Sequence, residues 1–184
     1  MKIGLTGERV TLRPLTVADV SDAYVGWMND ATTNRYMETR WRTHSREDVE
    51  AFVADKERSA TEHLFGIFLN AGGRHIGNLK VGPIDANHGR GELSYFIGDP
   101  GARGQGYASE AVALGVRIGF EQLGLAKLTA GIYARNAESG RVLAKNGFAA
   151  EGRRPSHFAF EGGRDDMVEY GLVSRGAEIR ADPG

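Results

Sequence analysis

The sequence predicts one mixed α/β domain, on three observations. Segments alternating every second residue and segments of helical periodicity follow one another in the order β-α-α-β-β-β-α-β-α-β. No internal repeat or low-complexity linker divides the chain. At 184 residues, 41% of them apolar, it is long enough to bury one sizeable core. The expected domain covers residues 1–175, and the patternless residues 176–184 read as a frayed tail.

Each element has a local cause. In RVTLRPLT, Val10 and Leu12 alternate with Thr11 and Arg13, a strand pattern. Thr16 and Asp19 have capping-box spacing, with Asp in place of Glu, and are expected to open a helix over VADVSDAYVGWMND. Ser45 and Asp48 repeat the device before VEAFVADKERSA, where Val49, Phe52 and Val53 share a face. HLFGIFLN and HIGNLKVGP flank the turn AGGR as a β-hairpin, and GELSYFIGD is the next strand. From Gln105 to about Gly124, Ala108, Ala111, Val112, Gly115 and Ile118 recur at helical spacing, and their small size suits close packing on a sheet. KLTAGIYAR is a strand, NAESGRVLAKNG a short helix ended by Gly147, and DMVEYGLV a last strand; residues 148–160 also have strand character.

Composition excludes several classes. Lys and Arg total 23 against 24 Asp and Glu, so the net charge of −1 gives no footprint for nucleic acid. No apolar run approaches the roughly 18 residues of a membrane span, and MKIGLTGERVTLRPL has no signal-peptide core. The absence of cysteine removes disulfides, thiolate metal sites and cysteine nucleophiles. His44, His63, His75, His88 and His157 show no ligand spacing, so no metal is expected. These features together suggest a cytoplasmic protein.

The stretch DPGARGQGYASEAV places Gly101, Gly104 and Gly106 at the mouth of a predicted helix. It fails as a Walker loop, because Tyr107 stands where the lysine belongs, and as a dinucleotide fingerprint, because Ser109 replaces the third glycine. The physics of the bend is nevertheless that of an anion site. Free N–H groups at a helix start favour phosphate, glycines permit close approach, and Arg103 adds charge. By itself the stretch is equally a helix-start turn.

Arg103-Gly104-Gln105-Gly106-Tyr107-Ala108 resembles the [RQ]-x-x-G-x-[GA] signature of the GNAT N-acetyltransferase superfamily. Asn136-Ala137-Glu138-Ser139, Leu143 and Gly147-Phe148 resemble its second motif, and RDDMVEYGL is similar to the closing strand of its ribosomal-protein acetyltransferase branch. The resemblance spans RVTLRPL to about Val173. It implies a single mixed, mostly antiparallel sheet with a splayed parallel strand pair, flanked by helices. It also implies acetyl-CoA as co-substrate: pyrophosphate on Arg103 to Ala108, pantetheine on the main chain of Tyr95, Phe96 and Ile97, and Asn136 delivered to the wedge. A homodimer is one assembly consistent with it.

Acetyl transfer to an amine needs a neutral amine, a polarised thioester and a proton for the leaving thiolate. Without cysteine, the economical route is direct attack. At pH 7 roughly 10–15% of an α-amine is neutral against about 0.04% of a lysine amine, so a weakly basic acceptor eases the demand for a base. Glu92, eleven residues before Arg103, matches the position of a general base in several superfamily members and is equally readable as a solvated strand-start residue. Ser139 matches the serine near the thioester sulfur in the ribosomal-protein branch, and is also placed to cap a helix. Many members carry a tyrosine acid seven residues after the motif asparagine; here that residue is Leu143.

For the acceptor, the resemblance points to the segment WMNDATTNRYMETRW, with Trp27, Arg35 and Tyr36, which reads equally as amphipathic packing. The polar His75 and Asn78 on the hairpin are acceptor candidates that by themselves read first as routine strand-face residues. Aromatic and arginine side chains together suit a sugar ring or a phosphorylated acceptor. The expected acceptor is the amine of a nucleotide-linked amino sugar, ahead of a protein N-terminus and of a polyamine. A silent acyl-CoA-binding module and a binder of some other nucleotide are the rivals.

Overall fold

In the computed structural model, which describes residues 3–176, an eight-stranded sheet carries helices on both faces. The strands are β1 (Leu5–Thr6), β2 (Val10–Pro14), β3 (His63–Leu69), β4 (His75–Asp85), β5 (Arg90–Ile97), β6 (Lys127–Tyr133), β7 (Ala149–Phe160) and β8 (Gly163–Val173). The helices are α1 (Asp22–Asn29), α2 (Arg46–Arg58), α3 (Tyr107–Arg117) and α4 (Ala137–Lys145). The strand order is β1-β2-β3-β4-β5-β6-β8-β7, and every pairing is antiparallel except β5 with β6. This is the mixed, mostly antiparallel sheet with one parallel pair that the resemblance implied. Met1, Lys2 and most of the expected tail lie outside the described residues.

Strand alternation sorts the apolar residues into two cores. Val10, Leu12, Phe65, Ile67, Leu79, Val81, Leu93 and Leu128 face α3 and α4, while Leu64 and Phe68 join Tyr24, Trp27, Val49 and Val53 beneath α1 and α2. The small face of α3 does what its composition suggested. A β-carbon at Gly115 would lie 2.8 Å from Leu79 and 3.2 Å from Leu93, so the glycine sets the helix–sheet distance.

Two local readings need correction. The Thr16–Asp19 box forms, with Asp19 accepting from the Thr16 N–H at 2.9 Å, but it opens only a 3-10 turn over Val17–Asp19. Arg13 also claims the Asp19 carboxylate, at 2.6 Å, and Val20 leaves the turn in extended conformation to enter the core. Helix α1 starts afresh after Ser21, whose side chain accepts from the Tyr24 N–H. The long helix predicted to about Gly124 ends as α-helix at Arg117 and closes with a π-helical turn over Ile118–Gln122. The Ser45–Asp48 box caps α2 as predicted.

Candidate active site

The parallel strands part company after three residue pairs. Arg90, Gly91 and Glu92 pair with Lys127, Leu128 and Thr129, and the ladder stops there. Beyond that point β5 stays with β4 as far as Ile97, while β6 stays with β8 as far as Tyr133. Each strand follows its antiparallel partner, so a wedge opens between them. Its β5 wall is the main chain of Tyr95, Phe96 and Ile97. An unpaired strand edge offers main-chain donors and acceptors to an extended ligand.

The Gly-rich bend follows the free end of β5 and leads into α3. Gly104 and Gly106 have φ of 70° and 83°, a backbone state that favours glycine, and nothing lies within 4 Å of a β-carbon built at Gly104. Among the described residues, the N–H groups of Gly104, Gln105, Gly106, Tyr107, Ala108 and Ser109 have no acceptor, and they surround the positive end of α3. The Arg103 side chain does not reach into this ring. It turns back to donate to the Ile97 and Gly98 carbonyls at 3.2 and 3.1 Å and to the Thr33 hydroxyl at 2.6 Å. The guanidinium beside the bend is that of Arg9, which local sequence reading had missed. Arg9 donates to the Gln105 carbonyl at 2.9 Å, pairs with Glu110 at 3.0 Å and stacks over Tyr107.

Glu92 stands at the vertex of the wedge, exposed, on the sheet face shared with α1 and α2. It lines an open depression of about 380 Å³ with Asp85, Arg90 and Thr129. Across the wedge, the Asn136 side chain caps α4 by accepting from the Ser139 N–H at 3.2 Å. Leu143 is fully buried in the core beneath α3 and α4, so no proton donor occupies its position. Tyr95 brings a hydroxyl to the first turn of the same helix. Its hydroxyl reaches from β5 to the Ser139 carbonyl, 3.5 Å away.

The proposed acceptor residues fall into two groups. Trp27, His75 and Asn78 meet under α1: the Trp27 and His75 rings are 5.2 Å apart, and His75 Nε2 lies 2.8 Å from Asn78 Oδ1. Trp27 and Asn78 are buried. Burial lowers the His75 pKa despite its bonds to Asn78 and Gly77, and it lifts the Tyr24 phenol to about 12. Arg35 and Tyr36 belong elsewhere, at the mouth of the wedge, with Arg40 of their own segment and with Tyr133, Phe158, Phe160 and Glu161, which local reading did not connect to them. Tyr36 stacks on Phe160 at 5.3 Å, and Tyr133 on Phe158 at 3.9 Å. Arg40 donates to the Tyr133 hydroxyl at 2.7 Å and to the Ala159 carbonyl at 2.9 Å, Tyr133 bonds Glu38, and Arg35 pairs with Glu161. Burial, reinforced by Glu38, pushes the Tyr133 phenol up to about 12.

The family model for the acetyltransferase (GNAT) domain matches residues 9–149, which include the wedge, the bend and α4. The chain belongs to the GNAT acetyltransferases. Among curated relatives, the uncharacterised N-acetyltransferase p20 of Bacillus licheniformis is 27% identical over 170 residues, 91% of this chain and 94% of that one. The uncharacterised N-acetyltransferase YoaA of Bacillus subtilis is 28% identical over 173 residues, covering 92% and 96%. The fold matches that of spermidine N-acetyltransferase from Vibrio cholerae in complex with CoA and spermine, with a TM-score of 0.81 at 21% identity over 89% of this chain and 95% of that one.

As a GNAT member, the chain is an N-acetyltransferase, and acetyl-CoA is the acyl donor of its family. The residues present fit that donor: a run of unpaired N–H groups suits a pyrophosphate, and the free β5 edge suits an amide-bearing pantetheine arm. No helix among the described residues is long and apolar enough to cross a membrane.

Proposed function

We propose that this acetyltransferase transfers acetyl directly from acetyl-CoA to the primary amine of a nucleotide-linked amino sugar. The observation that carries the acceptor class is the rim of the wedge, where stacked aromatic rings stand beside Arg35, Arg40 and Arg135. Flat aromatic faces suit a sugar ring, and guanidinium groups suit the phosphates that follow it. In this reading the bend holds the pyrophosphate through main-chain N–H groups, while Arg9, neutralised by Glu110, steadies the loop through the Gln105 carbonyl and Arg103 holds the end of β5. Asn136 shapes the wedge by fixing the first turn of α4. Trp27, His75 and Asn78 support the wall from behind, while Arg35 and Tyr36 touch the acceptor.

The chemistry runs in a ternary complex, since the chain has no cysteine to carry the acetyl group. Acetyl-CoA supplies the activated acyl carbon. Glu92, open to the face from which the amine enters, takes the proton that the nitrogen sheds, directly or through one water. A second reading, acetylation of a protein N-terminus, draws support from Ser139, which matches the motif of the ribosomal-protein branch. CoA release from acetyl-CoA with UDP- and dTDP-linked amino sugars, amino-terminal peptides and spermidine as acceptors separates the two. Release confined to the nucleotide sugars is expected, and release confined to the peptides would transfer the assignment.

A further inference from the structure

Leu143 leaves this enzyme without the side chain that would protonate the departing thiolate from α4. On the α3 and α4 side of the wedge, Tyr95 and Ser139 each carry a hydroxyl. Tyr95 lies past the point where β5 loses β6, on the strand edge assigned to the pantetheine arm. It faces the α3 and α4 side and is partly buried against that core. Its phenol crosses the opening to the first turn of α4, where its one main-chain acceptor among the described residues is the Ser139 carbonyl at 3.5 Å. Hydroxyl bonds are most often formed near 2.7–2.8 Å, so this donor is poorly satisfied and free to turn to a better acceptor. Ser139, by comparison, sits in a turn already organised by the Asn136 cap.

We propose that Tyr95 is the proton donor to the CoA sulfur, a role resting on the coenzyme site described above. When the amine nitrogen bonds to the acyl carbon and the C–S bond breaks, the electron pair stays on sulfur. The Tyr95 phenol gives its proton to that sulfur, releasing CoA as the thiol. The phenolate then recovers, through solvent, the proton shed by the nitrogen, so the reaction needs no other reactant. Burial is the largest influence on the Tyr95 pKa and raises it, which keeps the phenol protonated; the Ser139 side chain opposes this, and Glu138 is the charged group bearing on it from α4.

The test uses CoA itself as probe. The protein contains no cysteine, so the CoA sulfur is the sole thiol in the sample. Its ionisation is followed by ultraviolet absorbance, as the difference between titrations with CoA and with desulfo-CoA. Bound to the wild-type protein, the thiol should ionise at lower pH than in free CoA. In Tyr95→Phe the thiolate-to-thiol ratio at a given pH should fall about tenfold, the order expected for one hydrogen bond to a charged acceptor, with desulfo-CoA affinity unchanged. An unaltered ratio in Tyr95→Phe overturns the proposal, as does a larger fall in Ser139→Ala. If neither CoA nor desulfo-CoA binds the wild-type protein, the coenzyme reading itself fails and the proposal goes with it.

Discussion

The indole of Trp27 lies on the backbone of Gly98, so closely that a β-carbon built at Gly98 would clash with the ring carbons. Helix α1 is therefore keyed to the end of β5, the strand that forms one wall of the wedge. Gly98→Ala should displace Trp27 and cost about 1–3 kcal/mol, the usual penalty of overpacking a filled core. The same change should raise KM for acetyl-CoA, because the β5 edge moves with its support. Chemical denaturation and steady-state kinetics check both, and a variant with native stability would show that the contact yields without consequence.

Gly106 tests the bend. Its φ of 83° strains any branched residue, and a β-carbon there would sit 3.3 Å from the Arg9 guanidinium. Gly106→Val should weaken acetyl-CoA binding at least tenfold by calorimetry while the rest of the fold melts normally. Unchanged affinity would remove the pyrophosphate from this loop.

Glu92→Gln keeps the shape of the side chain and removes its basicity. Turnover should drop by roughly 10²–10⁴, the usual contribution of a positioned general base, with little change in acetyl-CoA affinity. The exposure of Glu92 at the wedge vertex makes a folding defect an unattractive explanation for any loss. A variant that keeps the wild-type rate across the pH range acquits Glu92.

The partly buried imidazole of His75 predicts an acid-labile step. Its Nε2 lies within bonding distance of the Gly77 carbonyl and Asn78 Oδ1, while Nδ1 is buried without a partner, so protonation would leave an N–H with no acceptor. Burial lowers its pKa below that of the unfolded chain, near 6.5. The unfolded chain then binds more protons at lower pH, so the stability from His75 is complete above about pH 6.5 and is lost as pH falls below it. Melting temperature should decline between pH 6.5 and 5, and His75→Gln should flatten part of that slope. The remainder belongs partly to His63, which burial also holds low. An identical slope in both proteins would place the titration elsewhere.

The sequence by itself determined what short-range physics controls. The β3–β4 hairpin, the Ser45 cap, the small face of α3 and the glycine spacing of the bend each depend on neighbours a few residues apart, and all are legible without coordinates. Local reading went astray at α1, where the Thr16 box closed a single turn, Val20 left it in extended conformation, and the helix began afresh after Ser21.

Only the tertiary structure decided who shares the site. It brought Arg9 to the bend from 96 residues away, seated Arg103 on the end of β5, and set Tyr36 against Phe160 across the mouth of the wedge. It also separated Trp27, His75 and Asn78 from Arg35 and Tyr36, and carried the Tyr95 phenol to Ser139. These relationships depend on which strand each of β5 and β6 follows once their ladder stops, β4 for one and β8 for the other. That choice is a balance of packing among strands far apart in the chain, and no local period or cap encodes it.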